Sequence, residues 1–352
     1  MLAVVYLHTA AGALRDPGNA DVWHVSNLLT ALFTTAVPLF FMMSGSLLLA
    51  QEKTADLPSL FRQRVPRLLV PLLVWTGVVM VRAARNGGWE AVKNLLTNLL
   101  HNPVMIHYWF LYALIPIYLI SPFLKKMADG MTGAHWAYLM GLWFILTLGL
   151  HTLKAFLPTY ANLFQVHWTL NLDMVGGYLG YFLLGAALER WENSPSPRVL
   201  WPAGITLYAV IVWGSFRDTV STGVYNERYK DYLNLFAALL AVVIYLLVRY
   251  YLGRKESGRV AALFSGISFG IYLMHPLAIE FVMNRWYRVF GSYIDTIPEQ
   301  LACYLVISGI CIVGTLVLAS VPGLCFLFTG QKFSTARRES SGLAVLNWIK
   351  KA

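Results

Sequence analysis

From Leu2 onward the chain alternates long apolar runs with short polar stretches, and many of the runs approach the length of a membrane-crossing helix. About 20 apolar residues in a helix cross a hydrocarbon core of about 30 Å. The pattern predicts ten spans, at about 1–14, 25–50, 66–83, 107–123, 135–150, 174–189, 199–214, 231–251, 268–290 and 300–328. Short, strictly alternating segments, the signature of a transmembrane barrel, are missing. The expected fold is therefore all-α, a polytopic transmembrane bundle of about ten helices. Its first helix reads as truncated, because fourteen residues at 1.5 Å rise cover only about 21 Å.

Residues 1–329 read as one membrane domain and residues 330–352 as a cytoplasmic tail. Within the polar connections, WEAVKNLLTNLL (89–100) has helical periodicity and is expected to lie flat at the interface. SPSPR (194–198) is expected to turn, since two prolines stop a helix. The tail carries LAVLNWIKK, a short amphipathic piece suited to the membrane surface. No internal repeat is evident, which argues mildly against a transporter built from inverted halves.

Composition narrows the class. With 58% hydrophobic residues, 12% charged residues and a mean hydropathy of +0.59, the chain is too apolar for a water-soluble globule. The net charge of +10 needs no nucleic acid to explain it. If the N-terminus is cytoplasmic, 17 of the 27 basic residues fall on inner loops and the tail, so the positive-inside rule favours two cytoplasmic termini. Cys303, Cys311 and Cys325 share the last apolar segment and read as small packing residues. Their spacing suggests neither a disulfide framework nor a metal site.

Four stretches carry candidate chemistry. His8 follows AVVYL on the first span, where an imidazole is either a satisfied packing residue or part of a site. VPLFFMMSGSLLL offers Ser44 and Gly45, small enough to admit a helix or a ligand, and FRQRVPRLLVP follows with Arg62, Arg64 and Arg67. Guanidinium forks match phosphate oxygens, although inner-loop arginines also fix topology. HNPVMIHYWFLYALIP presents His107, Tyr108, Trp109 and Tyr112, which suit a sugar or simply an interfacial aromatic belt. SFGIYLMHPLAIE places His275 and Glu280 on one span, about 140° apart around the helix, with Pro276 to loosen the backbone.

In this order, VVYLH, PLFFMMSGSLL, RQR, HYWFLYALIPIYLISP, YLGYFLLGAAL and SFGIYLMHPL resemble the acyltransferase family 3 membrane proteins, over nearly the whole chain. The likeness is greatest to single-domain members similar to the enterobacterial common antigen O-acetyltransferase. The resemblance implies an O-acyltransferase of the bacterial inner membrane that moves an acetyl group from cytoplasmic acetyl-CoA to a hydroxyl of a glycan or lipid-linked saccharide. It implies no tightly bound cofactor. His8 matches the family histidine and would act as general base, while Arg62 and Arg64 match the Arg-x-Arg motif and would hold donor phosphates. The basic residue that precedes the family histidine by eleven positions would fall before Met1, and there the chain departs from the pattern. The residues alone leave open a proton-coupled transporter or lipid-linked glycan flippase using His8, His275 and Glu280. They also leave open a non-catalytic membrane domain.

Overall fold

Apolar residues dominate every long helix, and helices are the form in which a backbone satisfies its own hydrogen bonds inside lipid. A computed structural model describes residues 1–165, 176–253, 255–256, 258–291 and 294–351. Residues 174–175 of the expected sixth span and Arg254 of the inner loops lie outside the described residues. Among the described residues, eight helical stretches are long and apolar enough to cross a membrane. They are α2 (Ala20–Leu49), α3 (Leu57–Asn98), α4 (Ile106–Gly130), α5 (Gly133–Phe156), α7 (Pro197–Thr222), α8 (Leu235–Leu252), α9 (Arg259–Phe290) and α10 (Ile297–Ser320). Two shorter helices pack among them, α1 (Leu2–Arg15) and α6 (Gly177–Arg190). Three small helices, α11 (Pro322–Thr329), α12 (Phe333–Glu339) and α13 (Gly342–Ile349), follow on one face. The result is a polytopic helical bundle.

Several boundaries move from the sequence expectation for identifiable reasons. The span expected at 300–328 stops at Ser320, because Val321 is extended and Pro322 restarts the chain as α11. The third span begins as early as Leu57, where the Asp56 carboxylate accepts from the Ser59 amide at 2.8 Å. It also runs past its expected end to Gly88, whose φ of 64° bends the helix, so that 89–98 continues as a mostly exposed segment. The SPSPR stretch is non-helical until Pro197 opens α7, and the amphipathic tail piece forms α13.

Small residues set the closest crossing. A Cβ at Gly45 would come within 1.7 Å of the Phe182 carbonyl oxygen, and one at Gly185 within 1.9 Å of that of Met42. Helices α2 and α6 thus touch backbone to backbone, as small residues allow in lipid. The chain crosses the bundle repeatedly, which gives two ends. One, the tail face, carries the α2–α3 connection and α11–α13: Trp75 Nε1 donates to the Phe328 carbonyl at 3.1 Å and the Gly342 amide to Ser320 Oγ at 2.9 Å. The opposite face carries the loop between α7 and α8. Cys303, Cys311 and Cys325 are buried free thiols.

Candidate active site

Each face holds a cavity. The one on the tail face, about 400 Å³, is lined by Lys53, Gln63, Arg64, Arg67, Tyr118 and Lys332, among others. It is positively charged because the α2–α3 connection folds back on itself. There the backbone makes a π-turn over Leu60–Arg64, a form frequent at functional sites. Arg64 is buried, and its guanidinium donates to Thr54 Oγ1 at 2.7 Å and to Gln51 Oε1 at 3.2 Å. Its planar fork keeps further N–H groups for a ligand. Arg67 is exposed at the cavity wall. Arg62 is exposed and does not line the cavity. Ser44 does not line the cavity but lies beside Tyr118, which does. Gly45 instead meets Phe182 across the helix crossing.

The cavity on the opposite face is larger, about 580 Å³, and its lining includes His8, His107, Trp109, Glu227, Lys230 and Asp231. Trp109 stacks on Tyr232 with ring centroids 5.6 Å apart and leans on Tyr178 at 4.9 Å. Lys230 was not singled out in the sequence. Its Nζ donates to Asn27 Oδ1 at 2.6 Å and to Thr30 Oγ1 at 2.9 Å, and the Thr34 hydroxyl donates to its carbonyl at 2.5 Å. Burial pushes the Lys230 ammonium down to about 7, against the opposing influence of Glu227. A lysine between the aromatic residues of YNERYKDYLNL was the only available signal.

His8 owes its place to a polar tie below it on α1. The Tyr6 hydroxyl donates to Gln300 Oε1 at 3.0 Å, and Gln300 Nε2 donates to Ser26 Oγ at 2.8 Å, so α1, α2 and α10 share one buried network. Val4 and Val5 are buried beside it. Two residues beyond Tyr6, His8 meets two other imidazoles. Its ring centroid lies 4.2 Å from that of His107 and 5.4 Å from that of His275, while the latter two are 5.3 Å apart.

The start of α4 and the middle of α9 are clasped by two tyrosines. Tyr108 Oη donates to the Leu273 carbonyl and Tyr272 Oη to the His107 carbonyl, both at 2.8 Å. Proline then orients His275. Pro276 has no N–H, so the carbonyl four residues earlier, that of Tyr272, loses its helical donor. His275 Nδ1 takes that place at 2.5 Å. In the neutral ring, Nδ1 therefore carries the proton and Nε2, buried without a partner, the lone pair.

The remaining expected residues fall elsewhere. Tyr108 is fully buried and engaged with α9, and the Tyr112 hydroxyl donates to the Leu99 carbonyl at 2.8 Å, so neither lines the cavity that Trp109 and His107 share. Glu280 is ion-paired with Arg82, away from His275.

The arrangement of a cation-lined cavity at one end and a histidine-floored aromatic cavity at the other agrees with the match to known families. A family model described as an acyltransferase domain covers residues 1–321. The chain belongs to the acyltransferase 3 family. It is a multipass membrane acyltransferase, and the family match includes every helix from α1 to α10, with all of the cavity on the opposite face and the arginine side of the tail-face cavity. No curated protein and no solved structure matches it.

Proposed function

We propose that this acyltransferase is an O-acetyltransferase that takes its acyl group from acetyl-CoA held in the tail-face cavity and delivers it to a glycan hydroxyl presented in the opposite cavity. On this reading the tail face is cytoplasmic, the membrane is a bacterial inner membrane, and the chain acts as a short member similar to the enterobacterial common antigen O-acetyltransferase. One observation carries the proposal: a single helix, α9, lines both regions. Ser265, Gly266 and Phe269 face the arginine-lined cavity, and His275 stands in the imidazole cluster nine residues after Gly266. Nine residues of helix span about 14 Å, a distance that an extended thioester arm can bridge.

Donor phosphates pair with Arg64 and Arg67, with Lys53 and Lys332 adding charge at the rim. The acceptor sugar lies on Trp109, an apolar face with hydrogen-bonding neighbours in Glu227 and Asp231. His8 takes the proton from the acceptor hydroxyl as its oxygen attacks the thioester carbonyl carbon. The tetrahedral intermediate collapses, the C–S bond breaks, and the proton passes from His8 to the departing thiolate. An imidazole suits both transfers because its ordinary pKa lies near neutrality.

The test is transfer of labelled acetate from acetyl-CoA to a bacterial envelope glycan fraction, using protein purified in detergent. His8→Ala should reduce turnover by about 10²–10⁴ while the protein still elutes as a single species. Unchanged turnover would remove His8 as the base. A requirement for sealed vesicles would instead point to transport, since chemistry needs no separated compartments.

A further inference from the structure

The imidazole cluster has a second property that acid–base chemistry leaves unused. His8, His107 and His275 come from three separate helices, and each offers one ring nitrogen such that the three atoms lie within 4.8 Å of one another. No hydrogen bond joins these rings: His107 Nδ1 and His275 Nε2 are buried and have no partner. Buried polar nitrogens are ordinarily satisfied, so two of them left without a partner in a three-imidazole cluster mark a site short of a ligand. The Tyr272 carbonyl on His275 Nδ1 supplies the outer partner that metal-ligating histidines commonly have.

The geometry and chemistry select the ligand. Zinc–nitrogen bonds of about 2.0–2.1 Å in a tetrahedron set the ligand nitrogens roughly 3.4 Å apart. The cluster needs to contract by no more than about 1.4 Å, and His8 and His107 are only half-buried, which leaves their side chains room to adjust. Three imidazoles favour zinc, copper, nickel or cobalt, whereas magnesium and calcium seek oxygen. Two of the three rings line the 580 Å³ cavity, so an ion arriving there keeps a coordination position open. Glu227 and Asp231 at the same cavity offset the positive charges of Arg15 and Lys230 there.

We propose that His8, His107 and His275 form a binding site for a zinc-class divalent ion, and that occupation of this site inhibits acyl transfer by engaging the lone pair of His8. The inhibitory part rests on the reading of His8 as base. Sequence spacing gives no hint of the site, because its ligands stand at positions 8, 107 and 275.

The experiment uses the purified full chain, stripped with a chelator, with Zn²⁺ as the probe in competition with a chromophoric chelator and Co²⁺ as a spectroscopic substitute. Expected results are one Zn²⁺ per chain, a tetrahedral Co²⁺ spectrum and X-ray absorption fitting three imidazoles. His107→Gln and His275→Gln should each weaken Zn²⁺ at least 10-fold, whereas Cys303, Cys311 and Cys325 changed together to Ser should leave affinity within twofold. Zn²⁺ should lower the initial rate of transfer, and chelator should restore it. Zn²⁺ affinity unaffected by both histidine variants, or absorption fitting fewer than three imidazoles in the unaltered chain, would overturn the site. Transfer that requires Zn²⁺ and stops on stripping would overturn the inhibition. The two readings fail separately: absent Zn²⁺ binding with transfer still lost in His8→Ala removes only the metal proposal. His8-independent transfer removes only the base and, with it, the inhibition, while the spectra still report on the site.

Discussion

The two cavities are built in opposite ways. The tail-face cavity draws much of its charge from one short stretch, in which Arg64 is fastened to Thr54 and Gln51 within thirteen residues of chain. The cavity on the opposite face is assembled from distant segments: His8 from α1, His107 and Trp109 from the start of α4, and Glu227, Lys230 and Asp231 from the loop before α8. A locally built pocket keeps its shape when remote parts of the bundle shift. A pocket assembled from several helices reports any change in their packing, and it also gains the freedom to combine rings that no single helix could bring together.

The largest expected effect erases the contrast altogether. Helix α2 contributes Leu48 to one cavity and Thr30 and Thr34 to the other, and its crossing with α6 admits no side chain at Gly185. Gly185→Val should cost at least roughly 3 kcal/mol through overpacking against backbone and abolish a monodisperse species on size exclusion. Recovery of well-folded protein would show that the crossing yields more readily than its geometry implies.

Smaller changes should separate the cavities. Arg64→Ala should raise the KM for acetyl-CoA about tenfold, near 1.4 kcal/mol, and leave the acceptor KM within twofold. Trp109→Ala should do the reverse, by a similar factor, through loss of its stacking face. Arg62→Ala, at a residue outside the cavity, should change neither by more than about twofold. Steady-state kinetics with each substrate varied in turn checks all three, and crossed effects would contradict the assignment of one substrate to each end.

A pH dependence is expected from the opposite face. The Lys230 ammonium releases its proton near 7 in the folded chain, but holds it to about 10.5 once unfolded. Between those values the unfolded chain binds more protons, so this residue makes stability rise as pH increases from about 7 to 10.5; below 7 its cost is present in full. Lys230→Met should flatten that rise in thermal melts across this window, and an unaltered slope would exclude Lys230 as its source. The smallest effect is expected at Glu280→Gln. The Arg82 and Glu280 side chains are 42% and 37% exposed, so their pair contributes at most about 1 kcal/mol. Transfer should persist, whereas a proton carrier at Glu280 would make this substitution severe.

The same contrast explains what the sequence disclosed. RQR was legible because its partners are near in the chain, although the π-turn decides that Arg64 lines the cavity and Arg62 does not. The long apolar runs foretold a bundle, while local breaks such as Val321–Pro322 and the bend at Gly88 altered its spans. HYWFLY grouped four candidates by adjacency, yet successive helical side chains point in different directions, leaving only His107 and Trp109 at the cavity. His275 and Glu280 were paired because they share a helix, but each found its partners on other helices. Such meetings depend on packing, which periodicity along one segment does not encode.

Pro276 has a broader consequence. The direction of the neighbouring ring is set by an atom that proline lacks, and the answering oxygen belongs to the main chain. Residues around the pocket can therefore be exchanged without dislodging that imidazole. Restoring an amide hydrogen with Pro276→Ala would set it swinging even though no contacting side chain had changed.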